Sequence, residues 1–221
     1  MKVLIFGATG MVGQGVLREC LADPSVTRVL TVGRAATGLA NPKLEELVHS
    51  DLADLVPVEQ RLSGFDACFF PLGVSSSGMR EAEYERITYT LTLAVADALS
   101  RLNPGMTFIY VSGAGTDSTE KGRVLWARVK GRTENALLRL PLRAYMFRPG
   151  VIQPQDGIRS KTPSYRLFYS VAAPLLPLLR RLLPNQILTT REIGQAMLAV
   201  AKHGYPKPIL ETRDIRAVLQ T

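Results

Sequence analysis

From the N-terminus onward, short apolar runs alternate with stretches whose apolar positions recur at helical spacing. Val3 to Phe6 reads as a buried strand. A glycine-rich turn follows and leads into a helix carrying Val12, Val16, Leu17 and Cys20. Val29 to Val32 is a second strand ending at Gly33-Arg34, and Leu44 to Val48, ending at Ser50-Asp51, is a third. Ala67 to Phe70 is the fourth, left through Pro71-Leu72-Gly73. A helical pattern from about Arg80 to Leu102 stops at Asn103-Pro104-Gly105. Thr107 to Val111 is the fifth strand, a helix covers roughly Gly122 to Leu140, and Arg143 to Phe147 is the sixth strand. Strands separated by helices require crossover connections, which predicts an α/β fold built on a doubly wound parallel sheet covered on both faces.

After Arg148-Pro149-Gly150 the alternation weakens through to Thr221. Residues 151–190 are expected to contribute a small substrate-side cap to one domain spanning 1–221. Thr189 with Glu192 forms a capping box opening a helix whose apolar positions are Ile193, Met197, Val200 and Ala201. With 221 residues, 46% of them hydrophobic, the chain can bury a substantial core without a metal or disulfide staple. Cys20 falls in a helix and Cys68 in a strand, so both read as small core residues of a reducing compartment. The apolar run after Lys2 is too short for a signal sequence, and a cytoplasmic protein is expected.

Charge changes the picture only locally. The net charge is +8, and between Lys121 and Arg181 thirteen basic residues face two acids, Glu134 and Asp156. No nucleic-acid module or cluster of stacking aromatics accompanies them, so no nucleic-acid partner is expected. His49 and His203 are isolated, and no metal site is expected. Tyr165 to Leu183 is strongly apolar and bounded by Arg166, Arg180 and Arg181, but Pro174 and Pro177 argue against a spanning helix. Packing over a substrate pocket, a homodimer surface and a weak contact with an anionic membrane remain open for 165–183.

The chemistry-bearing motif is Gly7-Ala8-Thr9-Gly10-Met11-Val12-Gly13, between the first strand and first helix. Glycines there let the backbone approach a pyrophosphate, and the helix start stabilises its charge. Arg34 follows the second strand where NAD-selective sites carry an acid, and its guanidinium suits bidentate capture of a 2′-phosphate. NADP(H) is therefore favoured, with NAD(H) the alternative. Asp51 could accept a bond from an adenine amino group or simply close a turn.

Taken with Leu72-Gly73, Val111-Ser112, Val129-Lys130-Gly131 and Phe147-Arg148-Pro149-Gly150, these pieces resemble the atypical short-chain dehydrogenase/reductase superfamily. The likeness is to its small NAD(P)-binding Rossmann proteins, the epimerase-like group similar to the thirty-kilodalton Tat-interacting protein. The resemblance implies that Gly7, Thr9, Gly10, Met11, Val12, Gly13, Asp51, Leu52, Leu72, Gly73 and Val111 line the cofactor. It also implies that Pro149, Gly150, Val151 and Ile152 pass near the nicotinamide amide. Ser112 and Lys130 occupy the positions of the family's catalytic serine and lysine, the lysine also holding ribose hydroxyls. The family's tyrosine, four residues before the lysine, is replaced by Trp126, and an indole N–H is a donor only. Tyr84, Tyr89 or Tyr165 would have to reach in from another element.

The expected function is an NADP(H)-binding oxidoreductase-like protein acting on a small carbonyl, imine or sugar-nucleotide substrate. The alternatives are a non-catalytic NADP(H) sensor that regulates a partner and a peripheral membrane protein.

Overall fold

A computed structural model describes residues 1–158 and 186–220. Its strands are β1 (Lys2–Phe6), β2 (Arg28–Gly33), β3 (Leu44–Val48), β4 (Ala67–Phe70), β5 (Thr107–Val111), β6 (Arg143–Arg148), β7 (Val151–Gln153), β8 (Ile187–Thr189) and β9 (Ile209–Glu211). Helices α1 (Met11–Ala22), α2 (Glu81–Glu85), α3 (Leu91–Leu102), α4 (Leu125–Leu137) and α5 (Thr190–His203) lie between them, and α6 (Thr212–Ala217) follows β9. Among the described residues seven strands form one sheet in the order β3-β2-β1-β4-β5-β6-β9, every pairing parallel. The chain winds outward from β1 to β3, returns to β4 beside β1, and winds outward the other way, which is the Rossmann arrangement. β7 and β8 pair separately in parallel.

Period-two alternation sends the two halves of each strand to different cores. Val3 and Ile5 pack with Val16, Leu17 and Cys20 of α1 and with Ile193 and Met197 of α5. Leu4 and Phe6 pack with Val95 and Leu99 of α3, with Phe70 stacked between Phe6 and Phe108 at 5.5 Å from each. Burial on both faces is why these strands read as continuous apolar runs. Cys20 and Cys68 are both buried core residues.

Three elements depart from the sequence pattern. The expected run is helical from Glu81 to Leu102, but Arg86–Thr90 is a π turn inserted between α2 and α3. It faces α4, where Thr133 Oγ1 donates to the Thr88 carbonyl at 3.3 Å. α4 starts at Leu125 and not near Gly122 because Asp117 Oδ2 accepts from the Gly122 amide at 2.7 Å and holds that residue in a loop. The end of the chain contributes more than a cap, since β9 pairs with β6 and completes the sheet. The capping box at Thr189 and Glu192 opens α5 as its sequence indicates. The readings placed on 165–183, including Tyr165, and most of the expected cap fall outside the described residues.

α1 and α5 cross in near contact because their facing positions are glycines. A Cβ on Gly15 would lie 2.6 Å from the Thr190 Cβ, and one on Gly194 3.1 Å from the Val16 Cα. Gly15→Ala is expected to cost about 1–3 kcal/mol in urea denaturation through overpacking. An unchanged midpoint would contradict this close packing.

Candidate functional site

The sheet reverses its winding direction between β1 and β4, and in open α/β sheets ligands bind in the crevice beyond the strand ends at that point. The turn after β1 fills this position. Gly7 has φ +91°, and a Cβ there would lie 2.8 Å from the Leu72 backbone that follows β4. Gly10 N donates to Gly7 O at 3.0 Å, closing the turn. A Cβ on Gly13 would stand 2.0 Å from the Gly7 oxygen, so the first turn of α1 rests directly on the loop. No side chain caps Gly10, and no acid stands in the first turn containing Met11, Val12 and Gly13. The free first-turn amides and the positive end of the helix dipole suit an anion, and the turn therefore fits a pyrophosphate. Gln14 Nε2 donates to the Thr9 carbonyl at 3.2 Å and steadies the loop.

On one side of the turn a cleft of about 160 Å³ is lined by Gly7, Thr9, Gly33, Arg34, Leu52 and Leu72, among others. Arg34 is exposed, and no acid among the described residues pairs with it. Glu46 of β3 accepts from the Thr37 amide at 2.7 Å and from the Thr37 hydroxyl at 2.6 Å. That pair pins the loop carrying Arg34, and it went unread in the sequence. Asp51 is exposed and its Oδ1 accepts from Ala53 N at 3.0 Å, the turn-closing role, whereas its neighbour Leu52 is buried and lines the cleft. Gly73, beyond Leu72, is exposed.

Beyond the other side of the turn, the ends of β5 and β6 are zipped together. Ser112 N donates to Phe147 O and Ala114 N to Pro149 O, each at 2.9 Å, continuing the pairing of Val111 with Phe147. Gly150 N donates to Thr212 Oγ1 at 2.8 Å, and a Cβ on Gly150 would lie 2.7 Å from the Gln186 oxygen. Val151 and Ile152 then enter β7. Pro149 to Ile152 thus stand beside the 112–115 turn, and Ser112 and Lys130 meet where Lys130 Nζ donates to the Ser112 carbonyl.

Behind them lies a buried network that the sequence reading did not identify. Glu134, fully buried on α4, accepts the Ser112 hydroxyl proton at 2.5 Å and pairs with Arg148 through two guanidinium nitrogens. Arg148 also donates to Ser118 Oγ at 2.6 Å and to Glu211 of β9 at 3.2 Å. Burial works against the Arg148 charge, but the Glu134 and Glu211 carboxylates hold its pKa above the usual arginine value. Lys130 is half-buried, and burial lowers its ammonium to about 8 while Glu134 pulls in the opposite direction. Glu134 did leave a signal, as one of two acids in the long basic stretch, one helical turn past Lys130.

Of the candidate tyrosines among the described residues, neither Tyr84 nor Tyr89 replaces the missing one; Tyr165 falls outside them. Tyr84 is buried in the core, and Tyr89 lies beneath the Arg132 guanidinium, 4.2 Å from the ring centre. Trp126 packs over the turn after β5, its ring 3.5 Å from the position a Cβ on Gly115 would take.

Residues 7–160 match the profile described as NAD(P)H-binding. The chain is 30% identical over 162 residues to the mitochondrial protein fmp52 of Emericella nidulans, covering 70% of this chain and 68% of that one. It is 23% identical to mitochondrial FMP52-1 of Scheffersomyces stipitis, covering 100% and 98%. Among solved structures it superposes on the Bordetella bronchiseptica enzyme WbmF in complex with NAD⁺ with TM-score 0.69 and 14% identity, over 99% of this chain and 77% of that one. The UDP-N-acetylglucosamine 4-epimerase of Methanobrevibacter ruminantium gives TM-score 0.69 and 15% identity, over 95% and 75%. These likenesses support the Rossmann, epimerase-like fold. The expectation of a cytoplasmic protein is corrected by the relatives, which are named mitochondrial. A short apolar run after Lys2 was too little to decide location.

Removing one partner of the buried pair should be far worse than removing both. Glu134→Ala, which leaves Arg148 buried and uncompensated, is expected to lose about 3–5 kcal/mol in chemical denaturation. Glu134→Leu with Arg148→Met should recover most of it. Equal losses in the two variants would contradict the pairing.

Proposed function

The chain belongs to the NAD(P)H-binding family, and from that premise we propose that it is an NADP(H)-binding oxidoreductase acting on a small carbonyl, imine or sugar-nucleotide substrate. The observation carrying the cofactor preference is Arg34, a guanidinium without an acidic partner among the described residues, on the wall of the cleft beside Gly7 and Leu72. Arg34 would hold the 2′-phosphate by paired N–H donors, where an NAD-selective site would present a carboxylate.

The chain's own residues divide the remaining work. The Gly7–Gly13 turn and the start of α1 would receive the pyrophosphate, and Leu52 and Leu72 would pack against the adenosine half. The 112–115 turn, Lys130 and Pro149 to Ile152 would border the nicotinamide half. A bound nicotinamide supplies or accepts hydride there.

A second reading is favoured by one observation: the Ser112 hydroxyl is buried against Glu134, and Trp126 stands where a tyrosine would act. Such a site would bind NADP(H) and report its presence to a partner without turnover. Tight NADPH binding with no oxidation across a broad carbonyl and imine panel would favour this sensor over the oxidoreductase.

Calorimetric titration separates the cofactors. NADPH should bind more tightly than NADH, and Arg34→Ala should weaken NADPH about tenfold or more, the loss of roughly 1.5 kcal/mol expected for a charged hydrogen bond. NADH affinity should be unchanged. Equal weakening of both nucleotides would overturn the role given to Arg34.

A further inference from the structure

An oxidoreductase that reduces a carbonyl has to deliver a proton to the oxygen, and the described residues offer few groups to do it. Trp126 cannot, because an indole N–H does not ionise near neutrality. The Ser112 hydroxyl is buried with its proton directed at Glu134. Lys130 is different. It lies on α4 one turn past Trp126, half-buried, with Nζ on the Ser112 carbonyl at the carboxyl end of β5. Glu134 sits one turn further on the same helix. Arg148 of β6 reaches Glu134 from the sheet and is itself joined by Glu211 of β9. Among the described residues Tyr110 of β5 and Tyr84 of α2 are further titratable groups beside Glu134, Tyr110 being pushed up by burial and by the charges of Tyr84 and Glu134.

We propose that Lys130 exchanges a proton with the ligand at the nicotinamide end of the crevice, in place of the absent tyrosine. Glu134 acts as its positioning residue, holding the Ser112 hydroxyl aside and balancing the ammonium. This rests on the cofactor reading above. In the reducing direction the carbonyl carbon takes hydride from NADPH while its oxygen takes a proton from Nζ. The products are the alcohol and NADP⁺, and the neutral amine regains a proton from water. Burial supports the role, since an ammonium lowered to about 8 can both give and take a proton near physiological pH.

The test is an NMR titration of protein carrying ¹³C-labelled lysine, with Lys130→Arg identifying the resonance. In the free protein Lys130 should titrate below the other lysines. Glu134→Gln should move its midpoint lower still, because the neighbouring negative charge that favours the ammonium is gone. Saturating NADP⁺, with saturation established by calorimetry, should displace the Lys130 resonance and leave distant Lys2 and Lys202 unaffected. A Lys130 that titrates with the exposed lysines, or that bound NADP⁺ leaves untouched, overturns the proposal while the cofactor reading stands. Failure of NADP⁺ to bind at all defeats the cofactor reading and this proposal with it. If Glu134→Gln does not fold by circular dichroism, the wild-type titration and the NADP⁺ arm decide.

Discussion

The site depends on a turn that has no room for a side chain. Gly7 must clear the backbone after β4, and Gly13 must let the first turn of α1 rest on the Gly7 carbonyl. Glycine costs conformational entropy, roughly 0.5–1 kcal/mol relative to alanine in an ordered element. That cost places the uncapped start of a helix at the point where the sheet reverses direction. The parallel sheet supplies the crevice, and the glycines bring the helix dipole to its floor. The loops that carry Arg34, Leu72, Ser112 and Pro149 are arranged around it because each leaves the same edge of the sheet.

A second constraint lies behind the far end of the crevice. Desolvating a carboxylate and a guanidinium together costs several kcal/mol per ion, and the pair recovers this only through good geometry and further hydrogen bonds. Glu134 and Arg148 meet those conditions by engaging Ser112, Ser118 and Glu211 as well as each other. The network joins α4, the β5 loop, β6 and the last strand of the sheet. Losing its geometry would release the loops after β5 and β6 together, so this part of the crevice is fixed by tertiary contacts and not by one loop's own conformation.

These two constraints explain what could be read from the sequence. The central strands were legible because burial on both faces writes them as unbroken apolar runs, and the glycine turn because its spacing sits between a strand and a helix. β9 was missed because three residues, Ile209–Glu211, carry no usable period. The π turn at Arg86–Thr90 leaves the surrounding helical pattern intact and so has no signature of its own. Arg34 and Leu52 lie on the cleft wall, and Asp51 beside them accepts from the Ala53 amide, a turn contact that strand-end position alone does not reveal. Glu134 four residues after Lys130 reads as an ordinary surface pair on a helix. Its burial is set by Arg148, which arrives from a different strand.

The central claim is that one dinucleotide spans the crevice, with its adenosine half at the Gly7 turn and Arg34 and its nicotinamide half beside Lys130. Amide hydrogen exchange with the whole cofactor and with a fragment of it tests this most directly. Saturating 2′,5′-ADP should protect the 8–14 and 33–37 amides, and NADPH should protect these together with 112–115 and 149–152. Protection by NADPH that stops at the fragment's footprint, or that appears away from both ends, would contradict the account.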